Sequence, residues 1–263
     1  MDLGLKGRAG LVTGASAGLG FAAALELARE GVDLIINSRS EERINSAADR
    51  IEEETGTRPF PIACDISNKP GVSDLLARIS ETGKQVDIIV SNTGGPPAGQ
   101  FLDLEPEQFD KSGQLLLDSA VELTRAFLPG MIERKWGRLI YITSISALQP
   151  IDTLLLSNTY RAAITGFCKT VSNNYAVHGI TANTVCPGYT CTERLNELAE
   201  NLAEINNSTP EKIMAGFAES VPARRIGRPE ELAALIAFLA SERSSYITGC
   251  AIPVDGGSKR ALI

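Results

Sequence analysis

The chain has 263 residues, 43% of them hydrophobic, and 25 Lys and Arg against 32 Asp and Glu give a net charge of −7. With its cations scattered along helical stretches, it offers no basic surface for nucleic acid or an anionic membrane. No apolar run approaches the ~18 residues of a membrane span, and the opening Met-Asp-Leu-Gly-Leu-Lys lacks a charged-then-apolar leader pattern, so a cytoplasmic protein is expected. Nothing marks a linker, and one α/β domain over residues 1–263 is the simplest organisation. The five cysteines (Cys64, Cys168, Cys186, Cys191, Cys250) are widely spaced with no Cys-x-x-Cys pair, which favours buried reduced thiols over a disulfide framework or a metal site. The single histidine, His178, sits in a His-Gly junction that reads as a helix end.

Strand-like apolar runs alternate with stretches of helical period, the pattern of a parallel sheet covered by helices on both faces. The first strand spans residues 9–13 and runs into Thr13-Gly14-Ala-Ser16-Ala-Gly18-Leu-Gly20, followed by a helix over 21–30. A strand over 32–36 leads to a charged helix over 41–54, and a strand over 61–64 ends at Asp65. A helix over 72–80, a strand over 86–90 and a long helix over 107–134 follow. The second half gives a strand over 137–143, a helix over 157–178, a strand over 180–185, a last helix over 229–240 and a short strand over 251–254. Residues 192–222 read as less regular and partly helical, a candidate substrate lid.

A glycine-rich turn between a strand and a helix lets the backbone approach a pyrophosphate at the positive end of the helix. Here it lies at the first strand-to-helix junction, with the spacing Gly14-x3-Gly18-x-Gly20. Asp65 after the third strand, Ser91-Asn92-Thr93-Gly94 after the fourth, Pro187-Gly188-Tyr-Thr190-Cys-Thr192 after the sixth and Val254-Asp255-Gly256-Gly257 near the end complete a set. In this order and spacing the chain resembles the short-chain dehydrogenases/reductases. The resemblance implies a Rossmann-like doubly wound parallel sheet of about seven strands. It also implies cofactor contacts from Thr13, Gly14, Ser16, Gly18, Leu19 and Gly20, from Ser38 and Arg39, from Asp65 and Ile66, from Asn92 and Gly94, from Arg161, and from Pro187, Gly188, Thr190 and Thr192.

Cofactor choice is readable after the second strand. An NAD-preferring member carries an acid there that accepts from the ribose hydroxyls and repels a 2′-phosphate. This chain has Ser38 in that place and Arg39 beside it, and a permanently charged planar fork suits a phosphate, so NADP(H) is the expected cofactor.

The family's catalytic group is Asn, Ser, Tyr and Lys. Counting thirteen on from Ser144, the family's Ser-to-Tyr spacing, reaches Ser157, and four more, its Tyr-to-Lys spacing, reach Arg161. The tyrosine position therefore holds Ser157, the lysine position Arg161, and the asparagine position on the long helix Leu116. A phenol of pKa about 10 can be tuned by a neighbouring cation to act as an acid. An alkyl hydroxyl is far weaker, and a guanidinium keeps its proton. Leu116 would break the water relay that the asparagine organises.

Three readings follow. The first is an NADP(H)-dependent oxidoreductase acting on the carbonyl or alcohol of a small apolar substrate, with Ser144, Ser157 or Tyr160 as replacement donor; Tyr160 is three residues from Ser157 on one helix and equally suited to packing. The second is a non-catalytic NADP(H)-binding sensor or partner subunit. The third is non-redox chemistry resembling that of halohydrin dehalogenases, which use Ser, Tyr and Arg at this spacing but replace the glycine turn that this chain keeps. The resemblance also implies a homotetramer or homodimer built through the long helices. The pocket is expected to draw on residues 95–97, 149–156, Tyr189 and the segment from Thr192.

Overall fold

The structure, a computed structural model, describes residues 2–262. Its first half runs β1 (Ala9–Val12), α1 (Gly18–Arg29), β2 (Asp33–Ser38), α2 (Glu41–Thr55), β3 (Phe60–Ala63), α3 (Lys69–Glu81) and β4 (Ile88–Ser91). α4 (Pro106–Gly113) and α5 (Ser119–Arg134) are joined by a wider π-helical turn at Gln114–Asp118. Then come β5 (Gly137–Ile142), α6 (Leu155–Tyr175), β6 (Ile180–Pro187), α7 (Glu193–Ile205), α8 (Pro210–Ser220), α9 (Pro229–Ala240) and β7 (Ala251–Val254). The seven strands pair in parallel in the order β3-β2-β1-β4-β5-β6-β7.

Two apolar layers sandwich this sheet because successive strand residues point to opposite faces. On one side Val12, Leu34 and Ile36 meet Leu27 of α1, Ile51 of α2 and Ile236 of α9. On the other, Leu11 and Ile35 share a layer with Leu75 of α3, Leu123 of α5 and Ile164 of α6. With both faces covered, the strands read as continuous apolar runs.

Several boundaries differ from the sequence expectation. α1 begins at Gly18 rather than at residue 21, so the glycine turn forms the first turn of the helix. β2 reaches Ser38, which carries Ser38 and Arg39 to the edge of the crevice. The expected long helix is interrupted by the π turn, which lets Leu115 face the crevice while its neighbour Leu116 is buried in the core. Residues 192–222, expected to be partly irregular, form two regular helices. Thr192 and Thr209 cap them by accepting from the backbone N–H groups of Leu195 and Lys212, and Pro210 opens α8. Of the five free cysteines, Cys168 and Cys186 are buried, whereas Cys191 and Cys250 are exposed, contrary to the expectation of buried thiols throughout. Among the described residues no helix is long and apolar enough to cross a membrane.

β5 is tied to α5 by the phenol of Tyr141. Its hydroxyl lies 2.7 Å from Thr124 Oγ1, which itself donates to the Ala120 carbonyl, and the ring meets Phe167 edge-on. Burial raises the Tyr141 pKa and keeps the phenol a donor. Tyr141→Phe removes one buried hydrogen bond and should lower unfolding stability by about 1 kcal/mol, measured by urea denaturation; an unchanged midpoint would contradict this role.

Candidate active site

The strand order reverses between β1 and β4, and the crevice opens there, at the carboxyl ends of the strands. Thr13 latches its two walls: its Oγ1 donates to Asn92 O at 2.8 Å and accepts from Asn92 N at 2.9 Å. The Asn92 side chain then donates to Gly14 O at 3.1 Å. Gly14 and Gly18 have φ of 58° and 57°, a region that side chains resist. A methyl at Gly20 would run into the Gly14 carbonyl and the Asn92 amide. No side chain caps the first turn of α1, because Ala17 stands at its N-cap, so its free N–H groups remain available to an anion.

The resulting groove holds about 470 Å³ and is lined by Gly14, Ser16, Gly18, Leu19, Ser38, Arg39, Asp65, Ile66, Asn92, Gly94 and Thr192 from the expected cofactor set. Thr13 and Gly20 are buried and shape the turn from behind. Pro187, Gly188, Thr190 and Arg161 line an adjoining cavity instead, and Leu19, Asn92 and Thr192 border both. At the β2 end Ser38 Oγ donates to Ser40 O at 3.2 Å. Arg39 is exposed and forms no hydrogen bond or ion pair among the described residues. Arg43, one turn along α2, also faces the groove and lies 2.5 Å from Glu193 of α7.

The adjoining cavity, about 230 Å³, contains Ser144, Ser157 and Arg161. Ser144 caps the short turn Ile145–Ala147 by accepting from Ser146 N at 3.1 Å. Ser157 Oγ lies 3.0 Å from Ser146 Oγ, a buried hydroxyl pair. One helical turn further on, Arg161 donates through Nη1 to the carbonyls of Ile142 and Thr143 at 3.1 and 2.8 Å, anchoring α6 to the end of β5. Burial, and then the nearby Arg194, pull its pKa down to about 10, which leaves it cationic at neutral pH.

Tyr160, a candidate proton donor on sequence grounds, lies elsewhere. Its hydroxyl donates to Phe109 O at 2.8 Å and its ring packs on Gly113, so it fastens α6 to α4 and borders neither cavity. Helical geometry turned it away from the face shared by Ser157 and Arg161. Leu116 is buried in the core, so the long helix sends no polar group from that position. His178 borders neither cavity. Two contributors were not legible in the sequence: Ser146, which pairs with Ser157, and Arg194 of α7, which borders both cavities. In sequence each is an ordinary serine or surface arginine, and only the folded chain brings them here.

A glycine-turned, uncapped helix start at the switch point of a parallel sheet places the chain in the class of dinucleotide-binding α/β proteins. A family model described as enoyl-(acyl carrier protein) reductase matches residues 14–259. Oxidoreductase UcpA of Salmonella typhimurium is 36% identical over 258 residues, covering 97% of this chain and 95% of that protein. The NADPH-dependent reductase BacG of Bacillus subtilis is 30% identical, covering 97% of this chain and 99% of its own length. Among solved structures, L-sorbose reductase from Gluconobacter frateurii, complexed with NADPH and L-sorbose, superposes with a TM-score of 0.95 at 32% identity over 100% of both chains. The chain belongs to the short-chain dehydrogenase/reductase family, and its relatives are oxidoreductases.

Because Tyr160 acts in packing, Tyr160→Phe should lower unfolding stability by about 1 kcal/mol and leave ligand binding in both cavities within twofold, about the scatter of such titrations. A tenfold loss of binding would return the residue to the site.

Proposed function

We propose that this protein is an NADP(H)-dependent oxidoreductase that reduces the carbonyl of a small substrate, or oxidises the corresponding alcohol, through Ser157 and Arg161 in place of the family's phenol and amine. The observation that carries this reading is the pairing of an intact dinucleotide groove with a cavity whose one buried cation, Arg161, stands a helical turn from a hydroxyl pair.

Several groove residues support this choice of cofactor. The free N–H groups of α1 suit a pyrophosphate. Ser38 leaves the ribose end without a carboxylate, and the unpaired Arg39 can take a 2′-phosphate by two parallel hydrogen bonds. Asp65, whose Oδ1 accepts from Ser67 N at 3.0 Å, stands at the adenine end. BacG is an NADPH-dependent reductase and the L-sorbose reductase was solved in complex with NADPH, which agrees with this choice.

A nucleotide held in the groove would supply the hydride. Arg161 then stabilises the negative charge that develops on the substrate oxygen, and its burial strengthens that attraction by excluding water. The Ser157 hydroxyl, which lines the cavity, would give a proton to that oxygen and regain one from water entering the cavity, while Ser146, 3.0 Å away, holds it in place by a hydrogen bond. A serine hydroxyl is a weak acid, so charge stabilisation by Arg161 carries more of the barrier reduction than it does beside a phenol. Tyr189, the phenol bordering this cavity, stacks on Phe217 at 4.5 Å, and burial raises its pKa so that it stays neutral.

A non-catalytic NADP(H)-binding protein is the second reading, favoured by the burial of Leu116 and by the serine, Ser157, that stands where the family has its phenol. Calorimetric titration tests the cofactor part common to both. NADPH should bind at least tenfold more tightly than NADH, and Arg39→Ala should remove about tenfold or more of NADPH affinity while leaving NADH little changed. Equal binding of the two nucleotides would contradict the assignment of Arg39.

The pH dependence separates this site from a phenol-based one. Arg161 is needed as a cation and loses its proton only as pH rises through about 10. Serine hydroxyls do not titrate in the accessible range. Turnover should therefore stay flat between about pH 6 and 9, and an inflection inside that window would point to a titrating acid in the site.

A further inference from the structure

The charges around the substrate cavity do not balance. Arg161 lies buried in it, with only the Ile142 and Thr143 carbonyls as partners. Arg194 reaches its mouth from α7, with the guanidinium laid over Gly95 and donating to Gly95 O at 3.5 Å and Pro96 O at 3.3 Å. Neither arginine forms an ion pair among the described residues, and no Asp or Glu lines the cavity. The nearest acids along α7, Glu193 and Glu197, face the nucleotide groove instead, and Glu193 is committed to Arg43. The remaining wall is mainly apolar, with Ile145, Ile151, Leu154, Leu195, Leu198 and the ring of Tyr189.

The buried guanidinium of Arg161 is costly without an anion nearby, and the exposed guanidinium of Arg194 at the mouth has no acid to occupy it. Burial first, and the nearby Arg194 second, lower the pKa of Arg161. A neutral substrate would leave both charges unmatched, whereas an anionic one would answer them, and a planar carboxylate is what a guanidinium fork accepts best.

We propose that the substrate is a small oxo acid with an apolar tail, its carboxylate held by Arg194 at the cavity mouth and its carbonyl oxygen facing Arg161. The carbonyl half of this statement rests on the reductase reading; the carboxylate half stands on the cavity alone. Gly95 is part of the device, because a methyl there would collide with the Arg194 guanidinium. Arg194 also borders the nucleotide groove, so a phosphate of the cofactor is the competing anion.

The test uses the full chain saturated with NADPH and titrated calorimetrically with non-reducible monocarboxylates from acetate to isocaproate and phenylacetate, each against its neutral amide. At least one carboxylate should bind about tenfold or more tightly than its amide. Arg194→Ala should abolish that preference while changing NADPH affinity less than about threefold, and Gly95→Ala should reproduce the loss by displacing the guanidinium. The proposal is overturned if no carboxylate is preferred over its amide or if the preference survives Arg194→Ala. It is equally overturned if that variant weakens NADPH instead, which would assign Arg194 to the cofactor. Reduction of α-ketoisocaproate and of neutral methyl isobutyl ketone is measured in parallel. Turnover of the ketone without a carboxylate preference sinks this proposal and spares the reductase reading. A carboxylate preference with neither compound reduced upholds the carboxylate site and counts against the reductase.

Discussion

The structure depends first on the way β1 and β4 part at their carboxyl ends and are held there by Thr13 and Asn92. Two backbone contacts from the Thr13 hydroxyl, at 2.8 and 2.9 Å, fix the separation of the strands. The Asn92 amide then pins the Gly14 carbonyl and sets the path of the glycine turn. From that geometry follow the uncapped start of α1, the groove along the strand ends and the position of the cavity beyond it. The Thr13 hydroxyl is fully buried, so its loss would leave the Asn92 backbone groups without the partner that holds the two strand ends.

Arg161 is the second constraint, and it links fold to chemistry. A buried guanidinium must spend its donors on something, and here Nη1 is spent on the last carbonyls of β5 and the residue after it. The same bonds fix α6 against the sheet and thereby place Ser157 beside Ser146. A lysine at this position would bring a compact ammonium, whereas an arginine brings a rigid fork that can anchor by one nitrogen and leave charge directed at a ligand. In the proposed mechanism, replacement of phenol and amine by hydroxyl and guanidinium would shift the site from acid catalysis toward electrostatic stabilisation.

What the sequence revealed, and what it hid, divides by range. The glycine turn could be placed from its position at the first strand-to-helix junction, whereas Asp65, Asn92 and the Pro187-Gly188 segment were placed by resemblance to the family's motifs, and these three line the groove or the adjoining cavity. The spacing from Ser144 to Ser157 to Arg161 was equally local, and all three line one cavity. Tyr160 could not be settled by helical spacing, since a neighbour three positions away can face either the cavity or the adjoining helix; Phe109 and Gly113 decided it. Arg194 lies on an amphipathic helix and touches residues 98 and 99 positions away, a relation that no local pattern carries. The regularity of α7 and α8 was hidden by the polar break around residues 206–209, although Thr192 and Thr209 are cap signals in hindsight.

Activity in this chain requires that a serine and an arginine replace the family's phenol and amine in moving a hydride to a carbonyl. The most direct measurement mixes stoichiometric protein–NADPH complex with a panel of small oxo acids and ketones, follows the near-ultraviolet absorbance of the reduced nicotinamide, and assays the alcohol formed. The account predicts loss of that absorbance with one alcohol made per NADPH consumed, and its disappearance in Arg161→Ala at saturating nucleotide. Tight NADPH binding with no absorbance change across the panel would contradict it and leave a nucleotide-binding protein without turnover.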